Sequence, residues 1–294
     1  MMRGTARDYV LYAVMTSIWG ASFFFTAIAL RSFGPFVIVL VRMALAAVAL
    51  GVVVRVRGLA VPRDRRVLGH LLALGAFNIA LPFTLLTLAQ VHVNSSTSVV
   101  LSATTPVFVF LIATLVTRAE RFSLPRLAGI VIAFCGLAAL SGGSFEGGTW
   151  GWPLVVVASS AIFATGNVYT RRYLPHLDPA VIAGGQIAAA TLYLLPVVIL
   201  SGDGARVAEP GVLPVLALLE LGLLASAGGY LLYFRFILLW GSTAASLNTY
   251  LQPVVGLLLG ILVLGEAMSA GQWLSLGVVL LGLAVFSRGR ARRR

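Results

Sequence analysis

Ten apolar runs fill most of this chain, at about 9–30, 35–54, 67–89, 95–117, 124–141, 150–170, 179–200, 212–234, 242–264 and 270–287. Each is near the ~20 residues that an α-helix needs to cross a hydrocarbon core. A segment in lipid must also satisfy its backbone N–H and C=O groups internally, so continuous runs of this length leave only helices. The predicted fold class is therefore an all-α membrane protein with ten transmembrane helices. A soluble fold of 294 residues needs a polar shell, and a chain that is 60% hydrophobic and 10% charged, with mean hydropathy +1.01, does not supply one. The connections are short. The largest are Arg55–Arg66, Ser141–Thr149 and Ser201–Gly211, so no separate soluble domain is expected. The first run is longer than a signal-peptide core and lacks a clear small-residue cleavage site, so it is expected to remain as an anchor.

Arginine placement tests the helix count. All 21 basic residues are Arg, against nine acidic residues, for a net charge of +12. They cluster between apolar runs, which is the pattern of topogenic charge and not of a nucleic-acid-binding face. With the N-terminus inside, 18 fall in inner segments, Arg31 and Arg206 fall outside, and Arg42 lies within a span. One missed span would scramble that alternation. The expected protein is multi-pass with both termini cytoplasmic.

The chain also repeats itself. Ser95, Pro106, Leu111, Leu115, Glu120, Ser123 and Gly136-Leu137-Ala138 are answered by Ser242, Pro253, Leu258, Leu262, Glu266, Ser269 and Gly282-Leu283-Ala284. The offset is 147 as far as Val263 and 146 from Glu266 on, a one-residue deletion at a loop. The reading is two homologous five-helix halves, 1–145 and 146–294. An odd number of spans per half turns the second upside down relative to the first, an architecture of transporters whose site lies near mid-membrane between the halves.

Polar residues inside the runs are the candidates for that site. In the fourth span Ser95, Ser98, Ser102 and Thr105 share one helical face. The repeat offset sets Ser242, Ala245, Thr249 and Gln252 on the matching face of the ninth. These stripes either line a cavity or let helices pack and bond their own carbonyls. Pro106 and Pro253 just beyond them each free a carbonyl and permit a kink. On the first span Trp19, Ser22, Phe23 and Thr26 fall at i, i+3, i+4 and i+7, with Trp19 too deep for an interfacial tryptophan. It is either an aromatic cavity wall or packing beside Gly20. Asn78 and Asn167 sit mid-span, Asn167 one turn after Phe163, and Tyr230 follows Gly228-Gly229. Each is either a tie between helices or a substrate ligand, because an unpartnered amide in hydrocarbon is costly. Glu220 is close enough to the outer end of its span to be expected as a hydrated carboxylate, with a proton carrier as the other reading. His70, His92 and His176 are scattered near span ends, and no metal site is expected. The single cysteine, Cys135, excludes an intramolecular disulfide.

Trp19-Gly20-Ala21-Ser22-Phe23, Pro35 with Arg42, the Pro106-to-Glu120 block and its Pro253-to-Glu266 counterpart, taken in order over ten runs, resemble the drug/metabolite transporter superfamily, EamA-type. The bacterial amino-acid and metabolite exporter branch is the most similar. The resemblance covers nearly the whole chain. It implies alternating access through a central cavity lined by the first, third, fourth, sixth, eighth and ninth spans, in a bacterial inner membrane. It also implies that Arg42 is a structural or gating residue outside that cavity. The superfamily's small four-helix multidrug members carry a glutamate in their first span, whereas residues 9–30 here contain no carboxylate, which weighs against proton-coupled multidrug antiport.

The rival classes lack their chemistry. An intramembrane enzyme needs a nucleophile with a base, or paired acids, at membrane depth, and the serines have no such partner. There is no Walker motif, so no ATP-driven step and no cofactor is expected. A nucleotide-sugar carrier needs fixed cations in its cavity, and only Arg42 is available. A neutral cavity lined by Trp19, Ser22, Phe23, Asn78, Ser98, Ser102, Thr105, Phe163, Asn167, Tyr230, Thr249 and Gln252 suits a zwitterion with an apolar side chain, hence export of neutral or aromatic amino acids. A multidrug or other metabolite transporter of the same superfamily is the alternative. The expected partners are a small-molecule substrate and membrane lipid, with neither nucleic acid nor an obligate protein partner.

Overall fold

The computed structural model describes residues 4–93, 95–140, 151–206, 211–255 and 270–289. The 141–149 connection, Trp150 and the second block's Glu266 lie outside the described residues. Within them the chain is helical and forms no strand. The helices are α1 (Ala6–Ala29), α2 (Pro35–Val56), α3 (Arg65–Ala89), α4 (Ser95–Ser102, Thr105–Leu111 and Ile112–Val116), α5 (Leu124–Leu140), α6 (Gly151–Tyr173), α7 (Pro179–Ser201), α8 (Val212–Trp240), α9 (Ser242–Ser246, helical again over 248–255) and α10 (Ala270–Arg288). Among the described residues α1, α2, α3, α6, α7, α8 and the Thr97–Val116 part of α4 are long and apolar enough to cross a membrane, and Leu124–Ala139 and Trp273–Phe286 are shorter apolar helices.

Local chemistry sets the helix ends. Thr5 caps α1 in a reciprocal box with Asp8, and Asp64 and Asp178 accept from the first-turn amides of α3 and α7. Pro35 and Pro179 open their helices, where a missing N–H costs nothing. The eighth run extends beyond its expected end at 234, because Arg235 ion-pairs with Asp8 and stays in the helix as far as Trp240. Pro106 interrupts α4 as its position predicts. The proline cannot donate to the carbonyl of Ser102, and the Thr105 hydroxyl donates there instead at 2.7 Å. α3 and α8 each contain a π-helical stretch, Gly75–Ala80 and Glu220–Gly228; such stretches often sit at functional sites.

The packing joins helices from the two ends of the sequence. α2 lies along α7, and α5 along α10; α3 crosses α6 and α7 as α8 crosses α1 and α2. α5 and α10 approach backbone to backbone. A Cβ on Gly282 would stand 2.4 Å from the Ala133 nitrogen, and one on Gly129 would stand 2.5 Å from that of Phe286, so the contact needs glycine on both sides. Large apolar side chains such as Val48, Val52, Leu192, Ile199 and Leu216 are exposed on the outer surface. That is the surface a lipid solvent requires.

Candidate functional site

A cavity in which water centres can occupy about 80 Å³ lies inside the bundle, room for several waters. Its wall comes from the second half of α1 (Trp19, Ser22, Phe23, Thr26), the second turn of α2 (Arg42), the last turns of α3 (Pro82, Phe83, Leu86, Thr87, Gln90), mid-α4 (Ser102, Thr105), the first half of α6 (Ser159, Ser160, Phe163), and α9 (Thr249, Gln252). All these contributions lie toward the end of the bundle where α1 and α3 finish and α2 and α6 begin. Gln90 also borders a second recess at that end, formed by residues around Arg31 to Pro35 and by Asp203. Asp203 Oδ2 accepts from the Phe36 and Val37 amides at 2.9 and 3.3 Å, tying the α7–α8 connection to the start of α2.

Six of the eight hydroxyls of this wall are already committed as donors, Thr87 and Ser102 being the other two. Ser22 donates to Trp19 O at 2.7 Å, Thr26 to Ser22 O at 2.8 Å, and Thr105 to Ser102 O at 2.7 Å. Ser159 donates to Pro82 O at 2.8 Å, Ser160 to Val156 O at 3.0 Å, and Thr249 to Ser246 O at 2.9 Å. A hydroxyl has one proton and two lone pairs, so each remains an acceptor toward the cavity. Trp19 forms the apolar floor. Its Nε1 donates to Ala225 O at 2.7 Å within the π-helical part of α8, and its ring meets Tyr233 at a tilt and Tyr230 and Phe163 edge to face, at centroid distances of 4.8, 5.4 and 6.4 Å. Gly229 makes that approach possible, because a Cβ there would stand 2.1 Å from the indole nitrogen.

Eight of the twelve residues expected from the sequence meet in this cavity: Trp19, Ser22, Phe23, Ser102, Thr105, Phe163, Thr249 and Gln252. The other four lie in the packed part of the bundle. Asn78 donates to Gln186 Oε1 at 2.9 Å and fills the space over Gly166, joining α3, α7 and α6. Asn167 donates to the Tyr233 hydroxyl at 2.9 Å, joining α6 and α8. Tyr230 is fully buried behind Trp19, and Ser98 is fully buried in α4. α8 thus supports the wall without contributing a residue to it, unlike the lining implied by the family resemblance.

One expectation is corrected. Arg42 is not outside the cavity but in its wall, with Nε donating to Ser226 Oγ at 2.6 Å and its guanidinium carbon 4.5 Å from the Phe83 ring centroid. The cavity is therefore not neutral. Glu220 is half-buried: its Oε2 is enclosed by protein without a hydrogen-bond partner among the described residues, while its Oε1 is not enclosed in this way. It opens the π-helical segment that lies along α2. Thr26 sits on the face shared by Trp19, Ser22 and Phe23, and Ser159 and Ser160 lie one turn before Phe163. Their spacing carried a signal, while Gln90, at a helix end, gave none.

The opposite end of the bundle is closed by polar ties. Arg235 pairs with Asp8 at 2.6 Å, and the Tyr12 hydroxyl donates to Ala245 O at 3.2 Å. Arg171 donates to Ile237 O at 2.6 Å and also to Leu238 O. His70 and Tyr169 share a hydrogen bond of 2.6 Å. Glu120 Oε1 accepts from the Ser242 hydroxyl and the Thr243 amide, each at 3.2 Å.

A helical bundle with an apolar outer surface, an internal cavity of mixed aromatic and polar lining toward one end and polar ties at the other has the form of a membrane transporter. Comparison with known proteins agrees. The sequence profile of the EamA-like transporter family matches residues 8–142 and 150–288, and the chain belongs to that family. It is 25% identical over 290 residues to an uncharacterized transporter of Archaeoglobus fulgidus, covering 97% of this chain and 100% of the other. It is 29% identical over 280 residues to the uncharacterized inner membrane transporter YedA of Escherichia coli (strain K12), covering 93% and 88%. A probable terminal-alkyne amino-acid exporter of Streptantibioticus cattleyicolor is 28% identical over 279 residues, covering 92% of each chain. One solved crystal structure aligns with TM-score 0.78 and 17% identity over 96% of each chain, a likeness that speaks for the fold alone.

Proposed function

We propose that this protein exports neutral amino acids, aromatic ones among them, or closely related metabolites, across a bacterial inner membrane by alternating access. The observation that carries the reading is the cavity wall. Six of its eight hydroxyls have spent their protons on backbone carbonyls and offer lone pairs, the complement of an ammonium group, beside the rings of Trp19, Phe23 and Phe163 that suit an apolar side chain. The exporter from Streptantibioticus cattleyicolor supports the substrate class, and YedA the membrane.

The topology that goes with this reading is ten spans in two inverted repeats of five, with both termini in the cytoplasm. Helices five apart in the order pair with each other, α2 with α7 and α5 with α10, which supports the repeat. The arginine-rich ends of α6 and α8 then lie at the cytoplasmic face, and the cavity faces outward. Alternating access asks that the tied end open in turn, and buried polar atoms there that lack partners among the described residues, on Asn167, Thr243 and Asn248, support a second state in which they are hydrated.

Counterflow in proteoliposomes loaded with unlabelled neutral L-amino acids tests the proposal. At least one should drive accumulation of its labelled form above the protein-free control. Absence of exchange across the whole neutral set, with protein correctly inserted, would remove the amino-acid reading.

A further inference from the structure

The hydroxyl wall does not account for Arg42. This side chain is 5% exposed, so nearly all of a permanent positive charge has been withdrawn from water. A buried charge of that kind is costly unless it is paired. Its Nε is taken by Ser226 and one face of the guanidinium lies on Phe83, but these are neutral partners. Among the described residues no carboxylate comes within ion-pair range of Arg42, the ion pairs being Arg126 with Glu120 and Arg235 with Asp8. Its two Nη groups carry no hydrogen bond among the described residues, yet neither is sealed in by protein. They are the part of the group left to the cavity. Glu220 opens the π-helical segment along α2 that also carries Ser226, and it does not pair with Arg42.

We propose that Arg42 binds the carboxylate of the transported substrate, giving the cavity a fixed anion site alongside its hydroxyl acceptors. A guanidinium presents parallel N–H donors that match both oxygens of a carboxylate, and the bonds to Ser226 and Phe83 hold that fork in place before substrate arrives. A donor fork in a wall of acceptors sorts ligands by charge pattern. It favours a monocarboxylate or a zwitterion and opposes an amine that lacks the acid. Glu220 works in the other direction, because its negative charge offsets part of the field that an anionic ligand would feel.

The inference rests on the amino-acid reading for its choice of ligand, and the test separates the two. Binding of L-phenylalanine, L-phenylalaninamide and 3-phenylpropionate to the purified full-length protein is measured by equilibrium dialysis. Wild type should bind phenylalanine roughly 10- to 150-fold tighter than its amide, the range of one hydrogen bond to a charged group. Arg42→Gln should erase that preference, Arg42→Lys should keep part of it, and Glu220→Gln should tighten 3-phenylpropionate. Unchanged melting temperatures show that the variants are folded. The wild-type comparison of acid with amide needs no variant at all. Equal binding of acid and amide by wild type, or a preference that survives in folded Arg42→Gln, would overturn the proposal while leaving amino-acid transport standing. Arg42-dependent binding of 3-phenylpropionate without binding or exchange of any amino acid would do the reverse.

Discussion

Along the cavity wall, the hydroxyl protons of Thr105 and Thr249 are bonded to backbone carbonyls, so these two threonines serve substrate only through their lone pairs. Thr105 and Thr249 test this, because valine matches their shape. Thr105→Val and Thr249→Val should each raise the half-saturating concentration for an exchanged amino acid roughly 10-fold or more while protein still reaches the membrane, as loss of a bond to a charged group predicts. Unchanged half-saturation in both would make the stripes packing surfaces. Asn78 and Asn167 should behave oppositely. They tie α3 to α7 and α6 to α8, and hydrogen bonds between membrane helices contribute about 0.6 kcal/mol on average. Asn78→Ala should lower the melting temperature and leave affinity within about twofold, as expected when only a tie between helices is lost. Both residues looked alike in the sequence, since mid-span depth is visible there and the direction a side chain faces is not. For Arg42 it was the family resemblance that put the residue outside the cavity. Its depth in α2 was legible, but its side facing α8 depends on where a helix nearly two hundred residues away comes to rest. Phe163 and Thr249 were legible because their neighbours repeat at helical spacing.

The helices read well from the sequence wherever a run of apolar residues ends in a proline, an aspartate or an arginine pair, as at Pro35, Asp178 and Arg171-Arg172. The π-helical stretches did not, because a widened turn is decided by what packs against it. In α8 that turn brings Ala225 O to the Trp19 indole and Ser226 to Arg42, so one distortion supports both the floor and the cation of the cavity. Gly229 is the residue that admits the indole. Gly229→Val should displace Trp19, abolish exchange and shift the intrinsic fluorescence maximum; full activity would show that the floor tolerates movement. At the tied end, Asp8 and Arg235 join α1 to α8, and Tyr12 joins α1 to α9. Removing the pair with Asp8→Asn should bias the bundle toward opening there, so a cysteine at the fully buried Asn248 should react faster with a polar thiol reagent in inside-out vesicles. An unchanged rate would mean that this end is held shut by packing alone.

For the whole molecule, the family match over both halves and the pairing of α2 with α7 and α5 with α10 are the facts an inverted repeat accounts for together. Its topology has a direct consequence. With Cys135 replaced by serine, a cysteine at position 146 should label from outside intact cells, and one at position 64 only after permeabilisation. Labelling of both from the same side would end the inverted-repeat reading. If one cavity between the halves serves both faces of the membrane in turn, a cysteine at Ser102, in the cavity wall and away from the tied end, is reached from each face. In the Cys135→Ser background, Ser102→Cys should react with a small charged thiol reagent in right-side-out and in inside-out vesicles, and a saturating exchanged amino acid should slow both reactions. Reaction from one face only, without protection by any amino acid that exchanges, would contradict the account.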